Sequence, residues 1–152
     1  DCTINSWAYS NSLVNYARII NKHVGSFNTD TGYALYADTS TKNLYLVMKP
    51  TGGSRMNLDS GISIDNIGWF NASVTKTSSS TIIYFNGIAK NSISTSAGNI
   101  DNSNSAFIGK YSDSGTFAPW DGNIGCIQYY NRALSAEEVL QNYNGLRGRF
   151  GV

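Results

Sequence analysis

The groups able to do acid–base, nucleophilic or metal chemistry in this chain are few, and most are placed where structure already explains them. The single histidine, His23, ends an apolar run. As a base it would need a nucleophile and an orienting carboxylate, and no G-x-S-x-G context supplies them, so it reads as structural. The only glutamates, Glu137 and Glu138, are adjacent. A glycosidase needs two carboxyl groups roughly 5–9.5 Å apart flanking a bond, and this pair is instead explained by helix capping. The eight aspartates, Asp1, Asp30, Asp38, Asp59, Asp65, Asp101, Asp113 and Asp121, are scattered over turns. One segment, NIDNSN at 99–104, is dense in oxygen, and Asp101, Asn102 and Asn104 are its candidate calcium ligands. The same residues are good turn formers, and no EF-hand-like spacing is present. One histidine and two distant cysteines cannot supply the four ligands of a zinc site.

The elements that must hold these residues are short strands. Apolar runs rich in β-branched and aromatic residues recur over 2–9, 16–22, 32–37, 44–49, 54–58, 69–76, 81–85, 88–93, 106–111 and 123–130. Turn formers separate them, among them the stretches 29–32, 50–53 and 76–80 and the dipeptide Asn86-Gly87 that a type I′ hairpin prefers. The clearest passage is 120–145. Asp121-Gly122 turns the chain, a strand follows, and Ser135 with Glu138 forms a capping box that opens a helix. Both glutamates suit its first turn. Val139, Leu140 and Tyr143 give it an apolar stripe, and Gly145 is the expected stop. About ten short strands with one terminal helix, and no helix between strands, predict an all-β antiparallel sandwich.

Composition narrows the partners. A chain of 152 residues is one domain able to bury its own core. A net charge of +1 with 14% charged residues gives no footprint for nucleic acid. The apolar runs are far shorter than the roughly 20 residues of a membrane-spanning helix. Hydrophobic residues at 41% exclude a disordered tail. Serine, threonine, asparagine and glycine dominate the polar fraction, as in extracellular β modules. The chain begins with Asp1 and shows no signal-peptide pattern, which suggests a processed or partial product.

The run IGCIQYYNRALSAEEVLQNYN resembles the closing strand and helix of laminin-G-like, concanavalin A-like jelly rolls, found in secreted bacterial proteins and phage structural proteins. The ending GLRGRFGV is similar to that of several phage members. CTINSWAYSNS, ARIINKH, GWFNASVTK and TIIYFNGIAK resemble further strands of the same family, in order. The resemblance implies one jelly-roll domain over 1–152. It allows a disulfide between Cys2 and Cys126, because the corresponding strands run close together in relatives; the alternative is two buried free thiols. It also raises the expectation of loop calcium. Sugar binding is a further function that such sandwiches host, through an exposed aromatic ring with polar groups beside it. The candidates are Tyr111, Phe117 and Trp120, with Asp113 and Asp121. The alternative for Trp120 is a plug beside Pro119, while Trp7 and Trp69 read as core. The sequon Asn71-Ala72-Ser73 falls inside a strand, where its use is not expected.

Relatives have one or more strands before the counterpart of Cys2, so the expected jelly roll lacks its opening strand and exposes an edge. Upstream residues or a strand donated by a neighbouring copy would cover it. The segment 146–152, with Arg147, Arg149 and Phe150, is the candidate assembly tail. The expected function is a non-enzymatic structural and recognition module of an extracellular assembly. The setting expected is a virion appendage, such as a tail fibre or capsid decoration, or a self-assembling fibre. Its partners would be copies of itself or other particle subunits. A lectin-like carbohydrate-binding module or a non-viral surface filament subunit is the alternative, and a glycan-degrading enzyme a remote one. No cofactor other than that calcium is implied.

Overall fold

The computed structural model describes residues 1–23, 25, 28, 30–95, 98–112 and 118–152. Ten strands precede one helix: β1 (Cys2–Ser10), β2 (Arg18–Lys22), β3 (Gly32–Ala37), β4 (Asn43–Lys49), β5 (Met56–Ser63), β6 (Gly68–Lys76), β7 (Ser80–Phe85), β8 (Ile88–Ser94), β9 (Phe107–Ile108), β10 (Gly122–Tyr130) and α1 (Ala136–Phe150). They form two five-stranded sheets, β10-β1-β6-β7-β8 and β5-β4-β3-β2-β9. The paired strands are antiparallel, as the expected jelly-roll sandwich requires.

Side chains alternate across each strand, so every second residue enters the space between the sheets. Cys2, Ile4 and Ala8 of β1, Phe70, Ala72 and Val74 of β6, and Leu44, Leu46 and Met48 of β4 meet there and are buried. The asparagine–glycine hairpin forms between β7 and β8, with Asn86 at φ 50° and Gly87 at φ 78°. Strand β5 runs on to Ser63, past the expected stop at 58, because Gly61 at φ 70° absorbs a register shift against β4. The expected strand over 106–111 shortens to Phe107–Ile108.

The other face of the first sheet is covered by α1. Trp7, which reads as core in the sequence, points to this side and is wholly buried, its ring stacked on Phe150 at 4.4 Å and Tyr143 at 5.6 Å. Trp69 also meets Phe150, at 4.5 Å. Beneath the helix lies a buried polar network. The Asn5 Oδ1 accepts from Asn71 Nδ2 (2.8 Å) and Ser73 Oγ (2.6 Å), and Asn5 Nδ2 donates to Gln128 (2.7 Å). Asn71 is fully enclosed, which closes the sequon to glycosylation.

The capping box is present, with the Glu138 amide donating to Ser135 Oγ and the Glu138 carboxylate accepting from the Ser135 amide at 2.9 Å. The helix does not stop at Gly145. It continues to Phe150 and ends at Gly151, whose φ of 73° provides the left-handed cap. A helical glycine costs about 1 kcal/mol relative to alanine. Packing of Tyr143 and Phe150 on the tryptophans outweighs that cost. The assembly-tail expectation is therefore corrected for Phe150, whose ring is committed within its own fold. Arg147 and Arg149 are exposed on the same helix, and Arg147 Nε donates to the Val152 carbonyl at 3.1 Å.

The disulfide is also corrected, since both cysteines are free thiols. Strands β1 and β10 do pair, but Cys126 lies opposite Trp7, on the helix side, whereas Cys2 points into the sandwich. Five residues of strand, about 16 Å, also separate Cys2 from Trp7 along β1. A disulfide needs Cα atoms closer than about 7 Å. Strand β1 lies between β10 and β6, and β10 and β8 form the two rims of that sheet.

The helix generates two predictions. Gly145 has open space around its Cβ position, whereas a Cβ on Gly125 would lie 2.6 Å from the Phe150 ring. In urea unfolding, Gly145→Ala should stabilise by about 0.5–1 kcal/mol, and Gly125→Ala should destabilise by about 1–3 kcal/mol. Hydrogen bonds from Arg132, then from the Ser135 amide, hold the Glu138 carboxyl at about 2, below its ordinary 4.5. Its stabilising contribution is complete above pH 4.5 and is lost as the pH falls through about 2. Glu138→Gln should flatten that acid limb in a pH series of urea midpoints.

Candidate functional site

With α1 covering one outer face of the sandwich, the outer face of the second sheet is where aromatic rings gather around an arginine. Alternation sends Tyr33, Leu35, Leu44, Leu46 and Leu58 inward, and turns Ala34, Tyr36, Tyr45, Val47, Asn57 and Asp59 outward. Ala34, Tyr36 and Val47 are nonetheless buried, and Tyr45 packs beside them. The Tyr36 and Tyr45 rings lie 5.4 Å apart. Across the strand pair from Tyr36 stands Arg18, the first residue of β2.

Arg18 is 6% exposed, and among the described residues its guanidinium is walled by rings rather than carboxylates. Its central carbon lies 4.3 Å from the Tyr36 centroid, 5.6 Å from Tyr111 and 5.8 Å from Tyr16. Cation–π contacts of this kind contribute about 2 kcal/mol when desolvated. Tyr111 is fixed over β2 because its carbonyl accepts from Asn21 Nδ2 at 2.7 Å, and its hydroxyl accepts from the Gly25 amide at 3.1 Å. Tyr16 holds a left-handed backbone, φ 60°, which is uncommon for a bulky side chain and marks stored strain. Burial lowers the pKa of Arg18 from its ordinary value, although a guanidinium remains charged at any physiological pH. Burial also raises Tyr36 to about 12, with Arg18 pulling the other way, so its hydroxyl stays protonated. Beside Tyr45, the Asp59 carboxylate is oriented by Asn43 Nδ2 (3.0 and 3.2 Å) and by the Gly61 amide (2.8 Å).

Of the expected sugar-binding residues, only Tyr111 reaches this cluster among the described residues. Asp113 and Phe117 lie outside them. Trp120 is a plug: its Nε1 donates to the Tyr9 carbonyl at 3.0 Å and its ring packs on the core near Phe70. Asp121 accepts from Asn11 Nδ2 at 2.9 Å, at the far end of β1. Tyr16, Arg18, Tyr36 and Tyr45 escaped the sequence reading. The available signal was weak: a single arginine opening an apolar strand, and tyrosines out of phase with the inward leucines.

The oxygen-rich segment 99–104 is organised around an ammonium group. Lys22 Nζ lies 3.2 Å from Asp101 Oδ1 and donates to the Asn104 carbonyl at 3.0 Å, within a cavity of about 410 Å³. Asn102 turns its amide nitrogen to the carbonyls of Lys22 and Thr31, and its oxygen accepts from the Asn104 amide. Two of the expected calcium ligands, Asp101 and Asn104, thus already meet the Lys22 ammonium. A second cavity, about 510 Å³, runs between α1 and β10, but its Arg132 and Glu138 are paired with each other at 2.7 Å.

Two outcomes follow from these placements. Trp120→Ala should destabilise by about 2–3 kcal/mol in urea unfolding, as loss of a partly buried core ring does. Millimolar calcium or a chelator should leave the melting temperature unchanged in a thermal scan.

The described fold has wide structural company. A carbohydrate-binding module, CBM40, of the Ruminococcus gnavus IT-sialidase, bound to α2,3-sialyllactose, superposes with a TM-score of 0.76 at 16% identity, covering 93% of this chain and 81% of that one. Domain 4 of AbnA, an extracellular GH43 arabinanase of Geobacillus stearothermophilus in complex with arabinotriose, gives 0.70 at 17% identity, covering 92% and 65%. The binding domain of Paraclostridial Mosquitocidal Protein 1 gives 0.69 at 21% identity, covering 95% of this chain, which spans only 37% of that one. No curated protein matches the chain. Its residues 1–140 match a laminin-G-type family described as the concanavalin A-like lectin/glucanases superfamily, and the chain belongs to that family.

Proposed function

We propose that the chain is a non-catalytic glycan-recognition module acting outside the cell. The observation that carries this reading is the outer face of the second sheet, where Tyr36, Tyr45, Tyr111 and Arg18 are gathered beside an oriented carboxylate, Asp59. Aromatic rings offer flat apolar surface to a pyranose, and fixed carboxylates and amides accept from or donate to its hydroxyls. The carbohydrate-binding modules of the same fold supply a precedent. Against catalysis stand the two glutamates, both at the helix start, where Glu138 is taken up by Arg132 and the cap.

A second reading, assembly into a fibre or a virion appendage, is favoured by one observation. Strand β10, paired on one side only among the described residues, leaves one rim of the first sheet open to a strand from another copy. The two readings are compatible, since the rim and the aromatic face belong to different sheets.

Calorimetric titration with sialyllactose, lactose and arabinotriose, alongside a glycan array, tests the recognition reading. Tyr45 is half-buried at the face, so Tyr45→Ala should reduce affinity for a bound glycan at least tenfold while the melting temperature moves only slightly. Binding undiminished in this variant would remove the aromatic face as the site. Sedimentation across a hundredfold range of concentration reads self-association separately.

A further inference from the structure

Arg18 differs from the half-buried Lys22 and the buried Lys76. Lys22 reaches Asp101 and the Asn104 carbonyl, and Lys76 reaches the Thr77 carbonyl at 3.2 Å. The Arg18 Nε and Nη1 are enclosed and donate to no described residue. Tyrosine faces balance the charge of a guanidinium but do not accept its in-plane N–H groups, which are five donors in a rigid fork. A buried charged donor without an acceptor is costly to keep, and such a vacancy in a strained setting is a recurrent mark of a binding site. The strain is present: Tyr16 at φ 60° stands against this same guanidinium, and at 38% it is more exposed than Tyr36, at 4%.

The matching acceptor is planar, anionic and bidentate, which describes a carboxylate. A dianionic phosphate would call for more than one cation, and this face instead carries Asp38 and Asp59 near Tyr45. Around the fork, the walls are rings suited to a sugar. We propose that Arg18 is the seat for the carboxylate of an acidic sugar, so that the glycan recognised on this face bears a uronic or sialic acid unit. This inference rests on the glycan-recognition reading and narrows it to a ligand class.

The experiment compares sialyllactose and trigalacturonate with lactose, arabinotriose, the methyl ester of sialyllactose and inorganic phosphate, by calorimetric titration of the whole chain. The expected result is at least a tenfold preference for one of the free acids over its neutral counterparts, weakened by added salt. The ester removes the charge from the ligand without touching the protein, so a folding defect cannot imitate its effect. Arg18→Lys, which keeps the charge and loses the fork, should erase most of the preference, with the fold checked by near-UV circular dichroism. Equal affinity for acid and ester, or a preference that survives Arg18→Lys, would overturn the carboxylate seat while leaving the glycan module standing. Binding of phosphate in place of the sugars would overturn the acidic-sugar assignment. Absence of binding to every sugar would overturn both readings together.

Discussion

Strand β1 is enclosed on every side, and the alternation of its side chains is the constraint on which the rest of the molecule depends. Strands β6 and β10 hydrogen-bond to its two edges. Ile4 and Ala8 face the second sheet, while Asn5 and Trp7 face α1. A slip of one residue would exchange those faces, putting Asn5 and Trp7 between the sheets and Ile4 beneath the helix. The Asn5–Asn71–Ser73–Gln128 network makes that exchange costly, because its buried amides would lose their partners. Polar specificity and apolar packing thus act on the same strand from opposite faces.

Covering one outer face with α1 makes the sandwich asymmetric. The first sheet spends its outward aromatics, Trp7 and Trp69, on Phe150 and Tyr143. The second sheet receives no helix among the described residues, and its outward Tyr36 joins Tyr16 and Tyr111 around Arg18 instead. Similar residue types on the two faces consequently serve different ends. On the first sheet the rings are closed by the chain itself, and on the second they surround a cation whose donors remain to be met. The charged groups elsewhere are largely self-satisfied, as in the Arg132–Glu138 and Lys22–Asp101 pairs.

The sandwich, most of its strands, the asparagine–glycine hairpin and the capped helix were legible in the sequence because each rests on contacts between near neighbours. Ser135 and Glu138 are three residues apart, and Asn86 and Gly87 are adjacent. The helix end was not legible, because Gly145 ends helices by local rules and is overruled here by a ring at position 150 meeting one at position 7. The side on which Trp7 is buried was not legible for a related reason: alternation tells which residues share a face, but not which face receives the helix. The candidate site was the least legible part. Arg18, Tyr36 and Tyr111 come together only through the ladder between β2 and β3 and the loop bond to Gly25. Nothing in their spacing along the chain announces that meeting, and the oxygen-rich segment that did announce itself is occupied by Lys22.

The position of β1 also sets an order of events. Thr3 pairs with Tyr130 on one side and with Thr75 on the other, so β1 is joined to β10 only after all the residues between them exist. Contacts so distant along the chain carry a large loop-closure cost and slow the search for the native state. Until β10 and α1 are in place, Ile4, Trp7 and Ala8, all buried in the finished fold, leave apolar surface uncovered. The finished sandwich therefore depends on a ladder whose two strands are separated along the chain by most of the sheet they complete.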